Sequence, residues 1–324
     1  MPRQSKANMN NEPSISVVIV TWNAKDHAIN CLRSIARQAS ESVETIVVDN
    51  CSSDGTADAI RSEFPQVQII RNERNEGFAR GNNAGLNAAR GEYVCLINSD
   101  VVVPDGCFGR LMLHMRENPS IGIMGPKMLT PDGSVGRSVK RFPTVWNSFC
   151  CALGVHVLFK KSKVLGGFEM RGFDYDKTSD VDIVTGWFWM VRMAALKMVG
   201  GLDERFFIYA EDMDWCRRFK QSGWRVVYFA DAEALHYGGG SSVRASRRFY
   251  IEMRRADLQY FAKHHGRRGE IGYRLVLWIH ETRRLLWHGL AYCCGQSGRS
   301  RAGSGILNSV ACLAWLAGRA TVDE

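Results

Sequence analysis

Within the first hundred residues a strand signal recurs four times, with helix signals between the repeats. Ile15–Val20 is apolar and largely β-branched apart from Ser16, the pattern of a strand covered on both faces. Thr45–Val48 reads as a second buried strand, and Val67–Ile70 and Tyr93–Ile97 as a third and a fourth strand. The intervening spacing predicts helices over Ala24–Gln38, where Ile29, Leu32 and Ile35 share one side, and over Thr56–Phe64 and Ala79–Ala89. Strands separated by helices require right-handed crossovers and a mainly parallel sheet. The fold expected is therefore α/β, a Rossmann-like sheet flanked by helices.

Beyond Pro104 the reading is sparser. Helices are predicted over Phe108–Glu117, Arg192–Val199 and Ala210–Gln221, and strands over Gly122–Met124 and Arg225–Phe229. Pro131-Asp132-Gly133 marks a hairpin turn within Thr130–Gly136. Arg137–Thr185 carries mixed signals and is assigned no element. From Ser246 onward the chain reads as helices, with breaks at Gly266–Gly269 and Gly295–Gly305.

Ligands of open parallel sheets bind beyond the carboxyl ends of the strands, and polar residues concentrate there. The first strand runs into Thr21-Trp22-Asn23 and the second into Asp49-Asn50-Cys51-Ser52-Ser53-Asp54-Gly55-Thr56. Asn72, Asn75 and Gly77-Phe78-Ala79 follow the third, and Asn98-Ser99-Asp100 the fourth. Such an edge suits a nucleoside diphosphate. Asp49 can accept from a base imide, Asp54 from ribose hydroxyls, and Asp100 can hold a divalent cation against diphosphate oxygens. The alternative is ordinary turn chemistry, since Asp, Asn, Ser and Gly also cap helices and shape turns.

Taken in order, "ISVVIVTWN" at Ile15–Asn23, "VVDNCSSDGT" at Val47–Thr56, "NEGFARGNNAGL" at Asn75–Leu86 and "LINSD" at Leu96–Asp100 resemble the nucleotide-binding half of family-2 glycosyltransferases with the GT-A fold. "GGLDERFFIYAEDMDWCRR" at Gly200–Arg218, followed by His236, resembles the rhamnosyltransferase-type subgroup of these inverting enzymes. The resemblance runs from about Ile15 to about Gly240.

It implies Thr21 and Asn23 in the loop nearest the nucleotide, Asp49 on the base and Asp54 near base or ribose. The third and fourth motifs place Asn75, Gly77, Asn82, Asn98 and Ser99 on the donor side. Asp100 is implied as the last carboxylate of an Asp-x-Asp motif binding Mg2+ or Mn2+, with His236 beside the metal. Asn98 stands where many members carry Asp and lowers the charge of that site. Asp212, next to Glu211, is implied as the base that deprotonates an acceptor hydroxyl. Glu211, Asp212 and Asp214 also open a predicted helix, where its dipole favours carboxylates in any case. Trp187 suits either the stacking of a sugar ring or the core.

Charge is unevenly placed. The net charge of the 324 residues is +9. Arg244–Arg301 holds 13 Arg and Lys against 4 Asp and Glu, an excess of 9, so the rest of the chain is near neutral. We therefore divide the chain into a catalytic domain at 14–243 and a basic helical extension at 244–324. Within the extension Leu275, Trp278, Ile279, Leu286 and Leu290 fall on one helical face. An apolar stripe flanked by arginines suits an anionic membrane surface; packing against the catalytic domain or a dimer contact explains it equally. No nucleic-acid recognition motif accompanies the basic stretch, and no nucleic acid partner is expected.

No stretch has the length of unbroken apolar sequence needed to span a bilayer; Ile271–Tyr292 is interrupted by charges and Ile306–Ala317 is short. The first 13 residues carry no secretory signal. Ten cysteines without a Cys-x-x-Cys fit reduced thiols and a cytoplasmic address, peripheral on the membrane's inner face. The expected activity is transfer of a sugar, L-rhamnose from dTDP-rhamnose, onto a saccharide or lipid-linked saccharide in cell-surface polysaccharide synthesis. Two rivals stand beside it. A nucleotidyltransferase would carry a Gly-rich, Lys- or Arg-bearing loop where this chain has Thr21-Trp22-Asn23-Ala24. A non-catalytic membrane-associated binding partner has no need to keep Asp49, Asp100, Asp212 and His236 together.

Overall fold

The computed structural model describes residues 13–38, 42–238, 246–294 and 299–318. The first half alternates as expected: β1 (Ile15–Thr21), α1 (Lys25–Ala36), β2 (Val43–Asp49), α2 (Thr56–Glu63), β3 (Gln68–Arg71), α3 (Gly77–Ala88) and β4 (Tyr93–Asn98). There follow β5 (Val101–Val102), α4 (Cys107–Glu117), β6 (Ile121–Leu129), β7 (Val139–Lys140), α5 (Val145–Leu153), α6 (Val155–Leu158), β8 (Ser179–Asp180) and β9 (Ile183–Val184). The remainder is β10 (Phe188–Arg192), α7 (Met193–Val199), α8 (Glu211–Gln221), β11 (Arg225–His236), α9 (Ser246–Cys294) and α10 (Arg299–Leu316).

The main sheet runs β3-β2-β1-β4-β10-β6-β11-β5, with β8 against β11, and β7 and β9 form a separate pair. Strands β3, β2, β1 and β4 are mutually parallel. Strand β10, which the sequence did not announce, lies antiparallel between β4 and β6. Its Phe188, Trp189, Met190 and Val191 are fully buried, next in the chain to Trp187. The antiparallel direction has a positional consequence. The start of β10 lies at the carboxyl end of β4, where Asn98 N–H donates to the Trp187 carbonyl at 3.0 Å.

Side chains alternate across the sheet, so Val18 enters one core layer and Val17 and Ile19 the other. Burying each contributes about 1.5–3 kcal/mol. Helix α3 lies close on β1 because it presents glycines: a Cβ on Gly85 would stand 2.2 Å from Val18 Cγ1. Strand β11 continues past the expected end at Phe229 to His236, across a register shift between Phe229 and Glu233.

Helix α9 breaks at Gly266, with φ 64° and ψ −170°, as the glycines there suggested. Its two arms fold back on each other: the Phe261 and Tyr273 rings stack at 4.2 Å, and Tyr273 Oη donates to Asp257 Oδ2 at 2.8 Å. A buried ion cluster ties the first arm to α8, since Asp214 receives His264 Nε2 at 2.6 Å and Arg218 Nε at 2.9 Å. Tyr260, Phe261, Tyr273, Val276 and Leu277 join the same core layer as Trp189 and Trp215. The expected break at Gly295–Gly305 is corrected in part. Residues 295–298 lie outside the described residues, and α10 runs unbroken through Gly303 and Gly305. The boundary drawn at 243/244 also falls outside the described residues.

Candidate active site

Three of the four strand ends are stitched together by side chains rather than left open. Asn23, held at φ 49°, accepts from Ser53 N–H at 2.8 Å, and Ser52 Oγ accepts from Asn23 N–H at 2.9 Å. Asp54 accepts from the backbone N–H groups of Lys25 and Thr56, both at 3.1 Å. Burial is the largest single influence and raises the Asp54 carboxyl, but the Thr56 hydroxyl and these two N–H groups together outweigh it and hold the carboxyl below its ordinary range. Asn50 Nδ2 donates to the Gly77 carbonyl at 2.9 Å, while its Oδ1 accepts from Asn72 Nδ2 at 2.7 Å. Asn75 Oδ1 accepts from Gly77 N–H at 3.0 Å. Gly77 sits at φ +84°, with room for no side chain: a Cβ would lie 2.3 Å from the Phe207 carbonyl oxygen.

Inside this frame two buried oxygens have no hydrogen-bond partner, Thr21 Oγ1 and Asp49 Oδ2. Asp49 is fully buried, uses Oδ1 to accept from Ser52 N–H at 3.1 Å, and keeps Arg71 Nε 3.7 Å from Oδ2. A buried acceptor without a donor costs about 1–3 kcal/mol, so these atoms suit a ligand that donates to them. Thr21, Asn75, Gly77, Asn98, Ser99, Asp100 and His236 line one cavity of about 280 Å³. Asn23, Asp49 and Asp54 do not line it, and neither does Asn82. Its Nδ2 donates to the Phe78 carbonyl one turn back in α3, at 2.8 Å, and its side chain is buried.

Two strands fix the candidate metal pair. Antiparallel pairing sets His236 of β11 opposite Val101 of β5, and Tyr237 N–H donates to the Asp100 carbonyl at 3.0 Å. His236 Nε2 then lies 3.2 Å from Asp100 Oδ1 and 3.5 Å from Asn98 Nδ2. Trp187 stacks on the His236 ring, centroids 5.5 Å apart and 25° from parallel. Its indole is thus both core and support.

A second cavity of about 690 Å³ shares Phe78, Asn98, Ile208 and Tyr209 with the first. Glu211, Asp212 and Trp187 are on its wall. Tyr209 and Ala210 both hold left-handed backbone, φ 70° and 64°, immediately before α8. Such conformations cost about 1–2 kcal/mol per non-glycine residue, and here they aim the first turn of α8 into the cavity. Asp214 points the other way, into the buried ion cluster with α9.

Glu211 is buried with Oε2 unpaired. Burial first, then the neighbouring Asp212, push its carboxyl up to about 8. At neutral pH Glu211 therefore keeps its proton. The sequence did not single out Asn50, the apolar Phe207–Tyr209 loop, or the α9 residues Arg254, Asp257 and His280 that form the far wall. Asn50 was within the polar strand ends, and the loop lay inside the Gly200–Arg218 motif without a role of its own; the far wall had no motif to betray it.

Residues 16–199 match the Glycosyl transferase family 2 profile. The chain belongs to that family. It is a glycosyltransferase, similar to the rhamnosyltransferase-type members. The N-acetylglucosaminyl-diphospho-decaprenol L-rhamnosyltransferase of Mycobacterium tuberculosis is 30% identical over 250 residues, which is 71% of this chain and 78% of that protein. Among solved structures, the mannosyltransferase PcManGT from Pyrobaculum calidifontis, in complex with GDP-Man and Mn2+, superposes with a TM-score of 0.55 at 19% identity. That match covers 94% of this chain and 81% of the other. Staphylococcus aureus TarS gives a TM-score of 0.51 at 19% identity over 77% of this chain, which spans 40% of the TarS chain. Both share the fold expected from the sequence, a mixed α/β sheet with helices on its faces.

Proposed function

We propose that this glycosyltransferase moves L-rhamnose from dTDP-rhamnose, with inversion, onto a lipid-linked saccharide in cell-surface polysaccharide synthesis. The observation that carries this reading is the continuity of the two cavities: the wall bearing Asp100 and His236 meets the wall bearing Asp212 at Asn98 and Tyr209. A donor held in the first cavity would present its anomeric carbon at the junction.

Asp49 Oδ2 and Thr21 Oγ1 are the acceptors offered to the base and its ribose, held in place by Ser52 and the Asn50–Gly77 bond. The Asp100 carboxylate and the His236 imidazole, with the neutral Asn98 amide beside them, would hold Mg2+ or Mn2+ against a diphosphate. Among the described residues no group of three or more His, Cys, Asp or Glu could hold a metal by itself. When bound, the cation supplies charge neutralisation for the departing diphosphate. Asp212 takes the acceptor hydroxyl's proton as its oxygen bonds to the anomeric carbon and the bond to dTDP breaks. Glu211 beside it, raised by burial and by the neighbouring Asp212, keeps its proton at neutral pH, so Asp212 is the member of the pair assigned as base.

The extension at 244–324 is read as both the far wall of the acceptor cavity and a contact for the anionic inner face of a membrane. The stripe of Leu275, Trp278, Ile279, Leu286 and Leu290 is exposed along α9, and Trp287 extends it. Leu158, 81% exposed, and Phe159 stand out beside Lys160, Lys161 and Lys163. No helix among the described residues is long and apolar enough to cross a membrane.

Calorimetry with dTDP-rhamnose and with UDP-, GDP- and dTDP-hexoses, with and without Mn2+, tests the donor assignment. Metal-dependent binding of dTDP-rhamnose that Asp100→Ala weakens supports it. Preference for another nucleotide sugar replaces the donor, and binding of none removes the assignment of this cavity.

A further inference from the structure

The wall of the larger cavity changes chemistry in a fixed order along α9. Next to Asp212 comes Asp257, whose carboxyl feels the Asp212 charge and accepts from Tyr273 Oη at 2.8 Å. Arg254 lies 3.9 Å from Asp257 Oδ2 through Nη1 and 3.4 Å from His280 Nε2 through Nη2. Arg283 and Arg284 follow one turn after His280 and line the same cavity. The next turns carry Leu286, Trp287 and Leu290, each about two-thirds exposed: 64%, 68% and 65%. From Tyr273 to Arg284 the helix rises about 16 Å.

The cationic stretch is only partly neutralised by its surroundings. Its nearby carboxylate, Glu281, is fully buried and already engaged, accepting from Tyr250 Oη at 2.5 Å and lying 3.3 Å from Arg254 Nε. Arg284 Nε is 3.9 Å from Glu281 and has no hydrogen-bond partner, and its guanidinium lies over the Tyr250 ring. Arg283 has no carboxylate within ion-pair distance among the described residues. Burial first, then Arg254 and the other arginines, hold His280 down at about 4, so it is neutral and ready to respond to an incoming anion.

We propose that Arg283 and Arg284, with His280 beside them, bind the diphosphate of a polyprenyl diphosphate-linked sugar acceptor. This rests on the reading of Asp212 as the acceptor's base. Base, cationic turn and exposed apolar turns succeed one another as hydroxyl, diphosphate and hydrocarbon do in such an acceptor. Two arginines on adjacent positions offer planar donor sets to phosphate oxygens, which a lone lysine cannot reproduce. The donor's own diphosphate belongs to the other cavity, at Asp100 and His236.

The test titrates farnesyl diphosphate, without any sugar, into the full-length wild type, Arg283→Gln and the Arg283→Gln/Arg284→Gln double variant. Wild-type binding that weakens about tenfold in the single variant and up to a hundredfold in the double variant is expected, at 1.4 kcal/mol per tenfold. Affinity for the nucleotide sugar should not change. Arg283 is exposed and unpaired, so its variant remains informative even where the double variant misfolds through loss of the Tyr250 contact. Absence of wild-type binding, or equal affinity in all three proteins, overturns the proposal. Loss of binding to phosphatidylglycerol vesicles without loss of farnesyl diphosphate binding also overturns it, and assigns the arginines to the membrane surface. If wild type binds no nucleotide sugar, the donor reading fails separately, and the lipid titration still decides this one.

Discussion

The two cavities are built by opposite means. The donor wall comes from successive strand ends between Thr21 and Asp100, each a few residues from its own strand, and neutral side chains bonded to neighbouring loops hold much of it. The acceptor wall gathers Lys140 from β7, Glu211 and Asp212 from α8, and Asp257 and Arg284 from the two arms of α9, and rests on buried ionisable groups. Shape in the first depends on turn geometry; in the second it depends on charge. The halves should therefore fail differently.

The sharpest separation is Asp212→Asn. Loss of a general base lowers turnover by about 10²–10⁴-fold, while donor affinity measured by calorimetry stays at the wild-type value. A parallel collapse of donor binding would break the comparison. Asp100→Ala gives the mirror image: donor affinity with Mn2+ falls about 10- to 100-fold, the loss of an interaction with a charged group worth about 1.5–3 kcal/mol. Gly77→Ala strikes the point at which both halves meet, because Phe78 N–H donates to the Phe207 carbonyl at 2.7 Å. Forcing a Cβ into that contact should cost about 2–3 kcal/mol of stability in denaturant unfolding and impair donor binding and turnover together.

A smaller effect concerns pH. Glu211 titrates at about 8 when folded against an ordinary 4.5, so the unfolded chain has released its proton while the native state retains it. Native stability should fall as pH rises from about 4.5 to about 8, and that part of the slope should vanish in Glu211→Gln. Equal slopes in urea unfolding would remove the buried pair from the account. Smallest in stability is Trp287→Ser on the exposed stripe, expected within about 0.5 kcal/mol of wild type, yet with weaker association to anionic vesicles.

The same contrast decides what could be read from the chain. Each donor-side strand had its apolar run and its polar exit, so β1 to β4 and most of the residues at their ends were visible; Asn82 misled because its motif neighbours line the cavity while it faces its own helix. Strand β10 escaped because its pattern, Phe188 to Arg192, is too short and too aromatic to distinguish strand from core helix. The acceptor wall escaped for another reason. Arg254, His280 and Arg284 look like ordinary charged positions of a helix until Gly266 folds the arms together and turns them toward Asp212. The exposed stripe on α9 was legible, and so was the packing alternative: other residues of the same helix, Tyr273, Val276 and Leu277, join the core while the stripe faces outward.

That fold-back gives the protein a gauge. The arms are pinned across Gly266 by the Phe261–Tyr273 stack and the Tyr273–Asp257 bond, so Tyr273, on the cavity wall, and the arginine turn are separated by a set number of helical residues. An acceptor whose reactive hydroxyl lies too many sugars from its diphosphate would be out of register with one end or the other. Removing four residues between Tyr273 and Arg284, about 6 Å of rise, would then shorten the acceptor the enzyme accepts, making saccharide length a property written in helix turns.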